Sequence, residues 1–115
     1  MDITIYHNPR CSNSRTTLDA IRGAGFEPRV VDYLATPPSR EELVRMLAAA
    51  GLRARDAIRT KESVHAELGL DGEGVGEDAL IDAMLAHPVL LNRPFVVTPK
   101  GVRLCRPPET VHEIL

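Results

Sequence analysis

Cys11 is the residue of this sequence best placed to act as a nucleophile. It follows an apolar segment, residues 3–6, that predicts a buried strand, and it precedes residues 14–24, whose apolar spacing predicts a helix. The first backbone N–H groups of a helix lack intrahelical partners, and together with the helix dipole they favour an anion. We therefore expect Cys11 to ionise more readily than a free thiol, and the same donors suit an oxyanion substrate.

The spacing after Cys11 indicates the kind of thiol chemistry that it supports. The third residue beyond it is Ser14, so the motif is C-x-x-S and no second thiol lies one helical turn away. A thiol from another molecule must then complete a redox cycle. The other cysteine, Cys105, lies in an apolar strand-like segment and is expected to be a buried structural thiol, although a resolving role stays open.

The composition is that of an ordinary globular protein and argues against several partners. The 115 residues are 43% hydrophobic and 26% charged, with a formal net charge of −2. We expect a single domain over residues 1–115. Nucleic acid and membranes are not expected partners, because there is no overall positive charge and no apolar run of spanning length. No export signal precedes the first strand, so we expect a cytoplasmic protein, with a monomer as the default state.

Arginine outnumbers lysine by 12 to 2. A guanidinium binds oxyanions through a fixed fork of donors that an ammonium group does not have, so single arginines are candidates for substrate contacts. A preference for GC-rich codons produces the same bias without any function, and composition alone leaves the two explanations open. His65, His87 and His112 are scattered and not at metal-ligand spacing with either cysteine, so no metal site is predicted.

The predicted elements follow the order of a small α/β protein. The first strand, the helix after Cys11 and a strand at residues 29–33 predict a parallel βαβ unit. A helical insert of about 50 residues follows, and its first helix begins at a capping box formed by Ser39 and Glu42. Two antiparallel strands joined by a three-residue loop, residues 99–101, and a last helix complete a βαβ–helical insert–ββα order with a mixed sheet flanked by helices.

This order, with a cysteine after the first strand, resembles the thioredoxin-like fold with helices inserted in its middle. That fold usually has a cis-proline opposite the cysteine, just before its third strand, and Pro94 occupies the corresponding place. Because X–Pro bonds adopt the cis form at low cost, we predict a cis bond between Arg93 and Pro94.

Five segments spread over the chain together resemble the glutaredoxin-linked arsenate reductases. In chain order they are His7-Asn8-Pro9 with Cys11, Ser14 and Arg15; Tyr33-Leu34 with residues 37–40; His87-Pro88; Asn92-Arg93-Pro94 with residues 96–99; and residues 103–107. No single segment is specific, but the combination and the order are. The resemblance implies a thioredoxin-like fold, reduction of arsenate to arsenite, electrons from glutathione and glutaredoxin, and no bound cofactor.

The resemblance also implies which residues form the site. Six positions match the family's functional residues: the nucleophile Cys11, the nearby His7 and Ser14, and the oxyanion-binding arginines Arg59, Arg93 and Arg106. Arg53 and Arg55 lie on the same stretch as Arg59 and are alternatives to it. The sequence stops at Leu115, whereas better-known members carry a C-terminal tail, a difference that bears on solubility or partner binding and not on the chemistry.

Arginines are required in this chemistry because the nucleophile and the substrate are both anions. A thiolate repels arsenate, and guanidinium groups placed beside both reduce that repulsion. The helix terminus, His7 and the arginines are expected together to lower the pKa of Cys11, since a free cysteine with a pKa of about 8.5 is mostly protonated at neutral pH.

Three other functions use part of the same pattern. Cysteine phosphatases hold their substrate in a loop with five residues between cysteine and arginine, whereas here Thr17 occupies that position and Arg15 comes too soon. A non-catalytic regulatory relative of the same fold, such as a partner of RNA polymerase, typically has C-x-x-C or lacks the arginine set. A glutathione-dependent thiol transferase needs the same thiolate without three arginines and is the nearest alternative.

Overall fold

A computed structural model describes all 115 residues, Met1–Leu115. The elements, in chain order, are β1 (Thr4–His7), α1 (Ser12–Gly23), β2 (Arg29–Asp32), α2 (Arg40–Ala50), α3 (Ala54–Ala57), α4 (Ser63–Glu67), α5 (Glu77–Ala86), a 3-10 turn (Pro88–Leu90), β3 (Phe95–Thr98), β4 (Gly101–Leu104) and a second 3-10 turn (Pro108–Glu113). The chain forms two compact units, Met1–Thr36 with Arg93–Leu115 and Pro37–Asn92. None of the helices combines the length and the apolar character that crossing a bilayer requires.

The first unit is built on a four-stranded mixed sheet with the order β2-β1-β3-β4. Strand β1 pairs in parallel with β2 and antiparallel with β3, and β3 pairs antiparallel with β4. The central place of β1 in this sheet explains its apolar residues, and Ile5 is fully buried there. The parallel βαβ unit, the antiparallel hairpin and the thioredoxin-like order expected from the sequence are confirmed.

The core of the first unit contains side chains from the sheet, from α1 and from the C-terminal 3-10 turn. Its buried residues are Ile3, Ile5, Leu18, Ile21, Val96, Cys105, Val111 and Ile114. Removing such apolar surface from water stabilises the fold by about 25 cal/mol per Å². The C-terminal turn is also tied to β3, because the Thr98 hydroxyl donates to the Ile114 carbonyl at 2.7 Å. Helix α1 and the residue that follows β4 thereby pack against the same apolar core.

Strands β1 and β2 differ by one residue at their ends from the expected ranges, and the larger differences from the expectations lie elsewhere. Helix α1 begins at Ser12 because Cys11, with φ −94° and ψ 123°, is its extended N-cap residue. The loop between β3 and β4 has two residues instead of three, since Gly101 already belongs to β4, with a φ of +147° that favours glycine. The last segment is a 3-10 turn and not an α-helix, since its N–H groups bond three residues back, as from Thr110 to Pro107.

The second unit is the predicted helical insert. Helix α5 contacts α2, α3 and the turn at Pro88–Leu90. Helix α2 begins with the expected capping box: the Ser39 hydroxyl accepts the Glu42 N–H at 3.1 Å, and the Glu42 carboxylate accepts the Ser39 N–H at 3.0 Å. It ends at Gly51, whose φ of +70° is readily adopted only without a Cβ. Local sequence chemistry thus sets both ends of this helix.

Candidate active site

The loop between β1 and α1 holds Cys11 at the N-terminus of the helix. The Cys11 N–H donates to the Asn8 carbonyl at 3.0 Å, which closes a turn with Pro9 at its second position. The Arg15 N–H donates to the Cys11 carbonyl at 3.0 Å and forms the first hydrogen bond of the helix. The thiol is free and partly exposed. The sequence-based placement of this cysteine at a helix start is therefore correct.

The pKa of the Cys11 thiol lies below its ordinary value. Burial raises this pKa, but the Ser14 backbone N–H and the guanidinium groups of Arg93 and Arg106 together outweigh that effect. Nη1 of Arg106 lies 3.9 Å from Cys11 Sγ and also donates to the Arg93 carbonyl at 3.0 Å. Two of the three expected arginines thus meet the expected nucleophile, and both favour its thiolate form.

Pairing at the open end of the β3–β4 hairpin explains why these two arginines meet. Arg93 precedes β3 and Arg106 follows β4. The Cys105 N–H donates to the Pro94 carbonyl at 2.9 Å, which continues the pairing beyond the ends of the two strands. The Arg93–Pro94 bond is cis, in agreement with the prediction, and the Arg106–Pro107 bond is also cis, which was not predicted.

His7, which is partly buried, and Ser14, which is buried, form a hydrogen-bonded pair beside the loop. His7 Nδ1 lies 2.6 Å from Ser14 Oγ, which also accepts the Asn8 N–H at 3.0 Å. Burial, and next the charge of Arg22, lower the pKa of His7, so its ring is neutral at pH 7. A neutral ring supplies no positive charge to the Cys11 thiol. His7 instead contacts the residue whose backbone N–H faces the thiol.

Arg59, the third expected substrate-binding arginine, lies in the second compact unit. Its Nε donates to the Glu62 carboxylate at 3.1 Å, and its backbone N–H donates to the Leu90 carbonyl at 2.7 Å. The side chain is largely buried, with 21% of its surface exposed. The acidic partner and the backbone bond hold this arginine in place within its own unit.

The other two arginines of that stretch have structural contacts. Arg53, the N-cap residue of α3, lies 3.6 Å from the carboxylate of Asp56. Arg55 donates to the carbonyl groups of Leu70 at 3.4 Å and Val75 at 3.1 Å. Arg55 thereby connects the two sides of the glycine-rich loop, residues 71–76. The glycine content of this segment predicts only a surface turn. The sequence offers no signal for this use of Arg55, because the two carbonyls become neighbours only when the loop closes.

Cys105 is fully buried in the core of the first unit. Burial, reinforced by Glu113, raises the pKa of this thiol to about 12. Its Sγ donates to the Arg103 carbonyl at 3.7 Å. A thiol in this setting stays protonated at neutral pH, so the expected structural position of Cys105 is confirmed.

The site combines a partly exposed thiol of lowered pKa with two guanidinium groups. Such an arrangement is suited to nucleophilic attack on a tetrahedral oxyanion, because the cations attract the substrate and keep the sulfur ionised. No three His, Cys, Asp or Glu side chains are grouped in a way that would hold a metal ion.

The chain is similar over nearly its whole length to proteins of one known family. The model of the ArsC family matches residues 6–114. The chain is 60% identical over 115 residues to an arsenate reductase of Rhizobium meliloti, covering 100% of this chain and 82% of the relative. It is 54% identical over 114 residues to an arsenate reductase of Escherichia coli K12, covering 99% and 81%. The structure of an arsenate reductase from Vibrio cholerae superposes with a TM-score of 0.95 at 46% identity, covering 100% of this chain and 98% of the other.

Proposed function

Because this chain belongs to the ArsC family, we propose that it reduces arsenate to arsenite, with the Cys11 thiolate as the nucleophile. The observation that carries the proposal is the thiol itself, whose pKa is lowered where Arg93 and Arg106 meet it. Residues 1–115 act as one domain in the cytoplasm, where a reducing environment keeps thiols free.

In the first step the Cys11 thiolate attacks the arsenic atom of arsenate. An As–S bond forms and an As–O bond breaks, and the oxygen leaves as water after taking up protons. Arg93 and Arg106 support this step because their charges attract the arsenate oxyanion to a sulfur of the same charge sign. Arg59 is the third cation of the substrate site, and His7 and Ser14 support the thiolate.

Glutathione and glutaredoxin supply the two electrons of the reduction. The glutathione thiol displaces a second oxygen from arsenic as water, so the arsenic carries two sulfur ligands. A glutaredoxin thiolate then attacks the glutathione sulfur. The S–As bond breaks with its electron pair left on arsenic, which becomes As(III), while a glutathione–glutaredoxin disulfide forms. Water releases arsenite and returns the Cys11 thiol. The C-x-x-S motif supports this use of outside thiols, since Ser14 stands where a resolving cysteine would be.

A coupled assay tests the proposal. The protein is mixed with glutathione, glutaredoxin, glutathione reductase and NADPH, and NADPH oxidation is followed with and without arsenate. Oxidation that depends on arsenate is the expected result. Oxidation supported equally by a glutathione mixed disulfide in the absence of arsenate would instead identify a glutathione-dependent thiol transferase, which needs the thiolate but not the arginines.

The Cys105→Ser variant is expected to keep most of the arsenate-dependent activity, at least about half of the wild-type rate. A thiol with a pKa of about 12 does not supply a thiolate at neutral pH. Serine is close in size, and the hydroxyl is able to donate to the Arg103 carbonyl as the thiol does. The coupled assay measures the rate, and thermal unfolding shows whether the core is intact. A folded Cys105→Ser protein without activity would assign Cys105 a redox role and contradict the mechanism.

The Arg59→Ala variant is expected to raise the KM for arsenate about tenfold, since an arginine–oxyanion contact contributes about 1.5 kcal/mol or more. The matched control is Arg53→Ala, which removes an arginine from the same stretch whose side chain is 81% exposed. That variant is expected to leave KM within about twofold, because an exposed ion pair contributes little. Equal effects of the two substitutions on KM would remove Arg59 from the substrate site.

A further inference from the structure

We propose that Asn8 is a positioning residue that holds the Cys11 thiol in its reactive place at the start of α1. The inference rests on the proposed role of Cys11 as nucleophile and extends it to a residue that acts through the backbone of the loop. Asn8 is only 7% exposed, although it lies in a loop and has a polar side chain. Burial of an amide in a loop is costly unless its hydrogen bonds are made.

Asn8 makes three hydrogen bonds within the loop, each with a different group. Its side-chain Oδ1 accepts the Arg10 N–H at 2.9 Å. Its carbonyl accepts the Cys11 N–H at 3.0 Å, and its own N–H donates to Ser14 Oγ at 3.0 Å. One residue thus connects the end of β1 to the N-cap of α1 and to the buried hydroxyl in its first turn.

The two hydrogen bonds that Asn8 accepts form a small turn enclosed by a larger one. The bond from Arg10 to Oδ1 is an Asx turn, and the bond from Cys11 to the carbonyl closes the four-residue turn around it. Pro9 restricts its own φ, so the side chain of Asn8 is the adjustable group that keeps the Arg10 peptide in this orientation. The extended N-cap conformation of Cys11 follows from the turn, and that conformation determines where Sγ points.

The hydrogen bond that the Asn8 N–H donates connects the loop to Ser14. Ser14 Oγ receives the Asn8 N–H and lies 2.6 Å from His7 Nδ1, so the first turn of α1 is anchored to the loop. The Ser14 backbone N–H is one of the donors that lower the pKa of the Cys11 thiol. Alanine at position 8 keeps the backbone bond to Ser14 Oγ, so Asn8→Ala loses only the Oδ1 bond to the Arg10 N–H and weakens the alignment of the sulfur with this donor without removing either group.

The test measures the pKa of the Cys11 thiol in the Asn8→Ala variant, in a Cys105→Ser background, from the pH dependence of alkylation by iodoacetamide. The pKa is expected to rise, and the alkylation rate at a pH below it to fall about three- to tenfold. In the coupled assay kcat is expected to fall more than KM for arsenate rises, because the arginines are still present. The Asn8→Ser variant is expected to recover part of the shift, since its hydroxyl forms the weaker version of the same turn.

The matched control is Asn13→Ala, which removes the same amide two residues after Cys11 and keeps the carbonyl that accepts the Thr17 hydroxyl at 2.7 Å. It is expected to leave the thiol pKa at its wild-type value. A wild-type pKa in folded Asn8→Ala, or an equal shift in Asn13→Ala, would overturn the proposal. If Asn8→Ala does not fold, Asn8→Gln replaces it: this variant keeps the amide but moves the acceptor out of place, so the shift is again expected and its absence refutes the role.

The alkylation measurement also separates this proposal from the function on which it rests. It is made without arsenate, so it reports on the placement of the thiol alone. A wild-type protein without arsenate-dependent NADPH oxidation, whose lowered thiol pKa nevertheless rises in Asn8→Ala, would refute the proposed function and leave the role of Asn8 supported. If the wild-type enzyme is active and the Asn8→Ala variant keeps both the thiol pKa and the kcat of the wild type, the role of Asn8 is refuted and the proposed function is supported.

Discussion

Replacing Cys11 with serine is expected to abolish arsenate-dependent NADPH oxidation, with a loss of at least about three orders of magnitude in kcat. A serine hydroxyl remains protonated at neutral pH, whereas the pKa of the Cys11 thiol is lowered by the Ser14 N–H and by Arg93 and Arg106 in spite of burial. The coupled assay measures the loss, and circular dichroism shows that the variant is folded.

Ser12→Ala is the control for this variant. It changes an exposed residue directly beside the nucleophile and is expected to retain activity within about twofold, since isolated surface substitutions have small effects. Arsenate reduction by folded Cys11→Ser protein at a rate close to that of Ser12→Ala would mean that another group performs the attack, and the proposed mechanism would have to be abandoned.

Replacing Arg106 with alanine is expected to reduce kcat/KM for arsenate by about ten- to a hundredfold, which corresponds to the roughly 1.5–3 kcal/mol of a hydrogen bond to a charged group. The change removes the guanidinium 3.9 Å from Cys11 Sγ and its bond to the Arg93 carbonyl. The pKa of the thiol is therefore expected to rise. The reason is physical: a thiolate loses one of the charges that stabilise it relative to the neutral thiol.

Two further variants show whether the effects of Arg106→Ala on kcat/KM and on the thiol pKa come from Arg106 itself. Arg106→Lys keeps the charge but not the fork of donors, so it is expected to recover the thiol pKa more fully than the kcat/KM for arsenate. Arg103→Ala removes an arginine from the adjacent strand whose guanidinium pairs with Glu113 at 3.1 Å, and it is expected to leave both quantities nearly unchanged. If Arg103→Ala lowers kcat/KM as much as Arg106→Ala does, the effect is one of general charge and Arg106 has no direct role.

Local parts of the molecule are predictable from neighbouring residues. The capping box of Ser39 and Glu42, the end of α2 at Gly51 and the start of a helix next to Cys11 all follow from short-range hydrogen bonding. The errors in boundaries are also local. The two-residue loop was missed because Gly101 was assigned to the turn, whereas its position in β4 depends on pairing with Thr98.

The charge state of His7 is a property that the sequence leaves undetermined. His7 precedes the cysteine motif, and by sequence alone its charge state was open to either interpretation. In the folded chain it is partly buried against Ser14, and desolvation lowers its pKa, so it is neutral. Burial is a property of what packs around a residue, and no pattern of neighbours along the chain contains it.

The sequence by itself determines the candidate nucleophile, the absence of a second cysteine one helical turn away and the order of strands and helices, because these depend on residues within a few positions of one another. Tertiary structure alone decides that Arg106 contacts Cys11 Sγ, 95 residues away in the sequence, and that Arg93 also contacts this sulfur. It also decides that burial raises the pKa of Cys105 to about 12. The physical reason is that ionisation depends on charge and solvent in space, and pairing between distant strands is what brings those charges together.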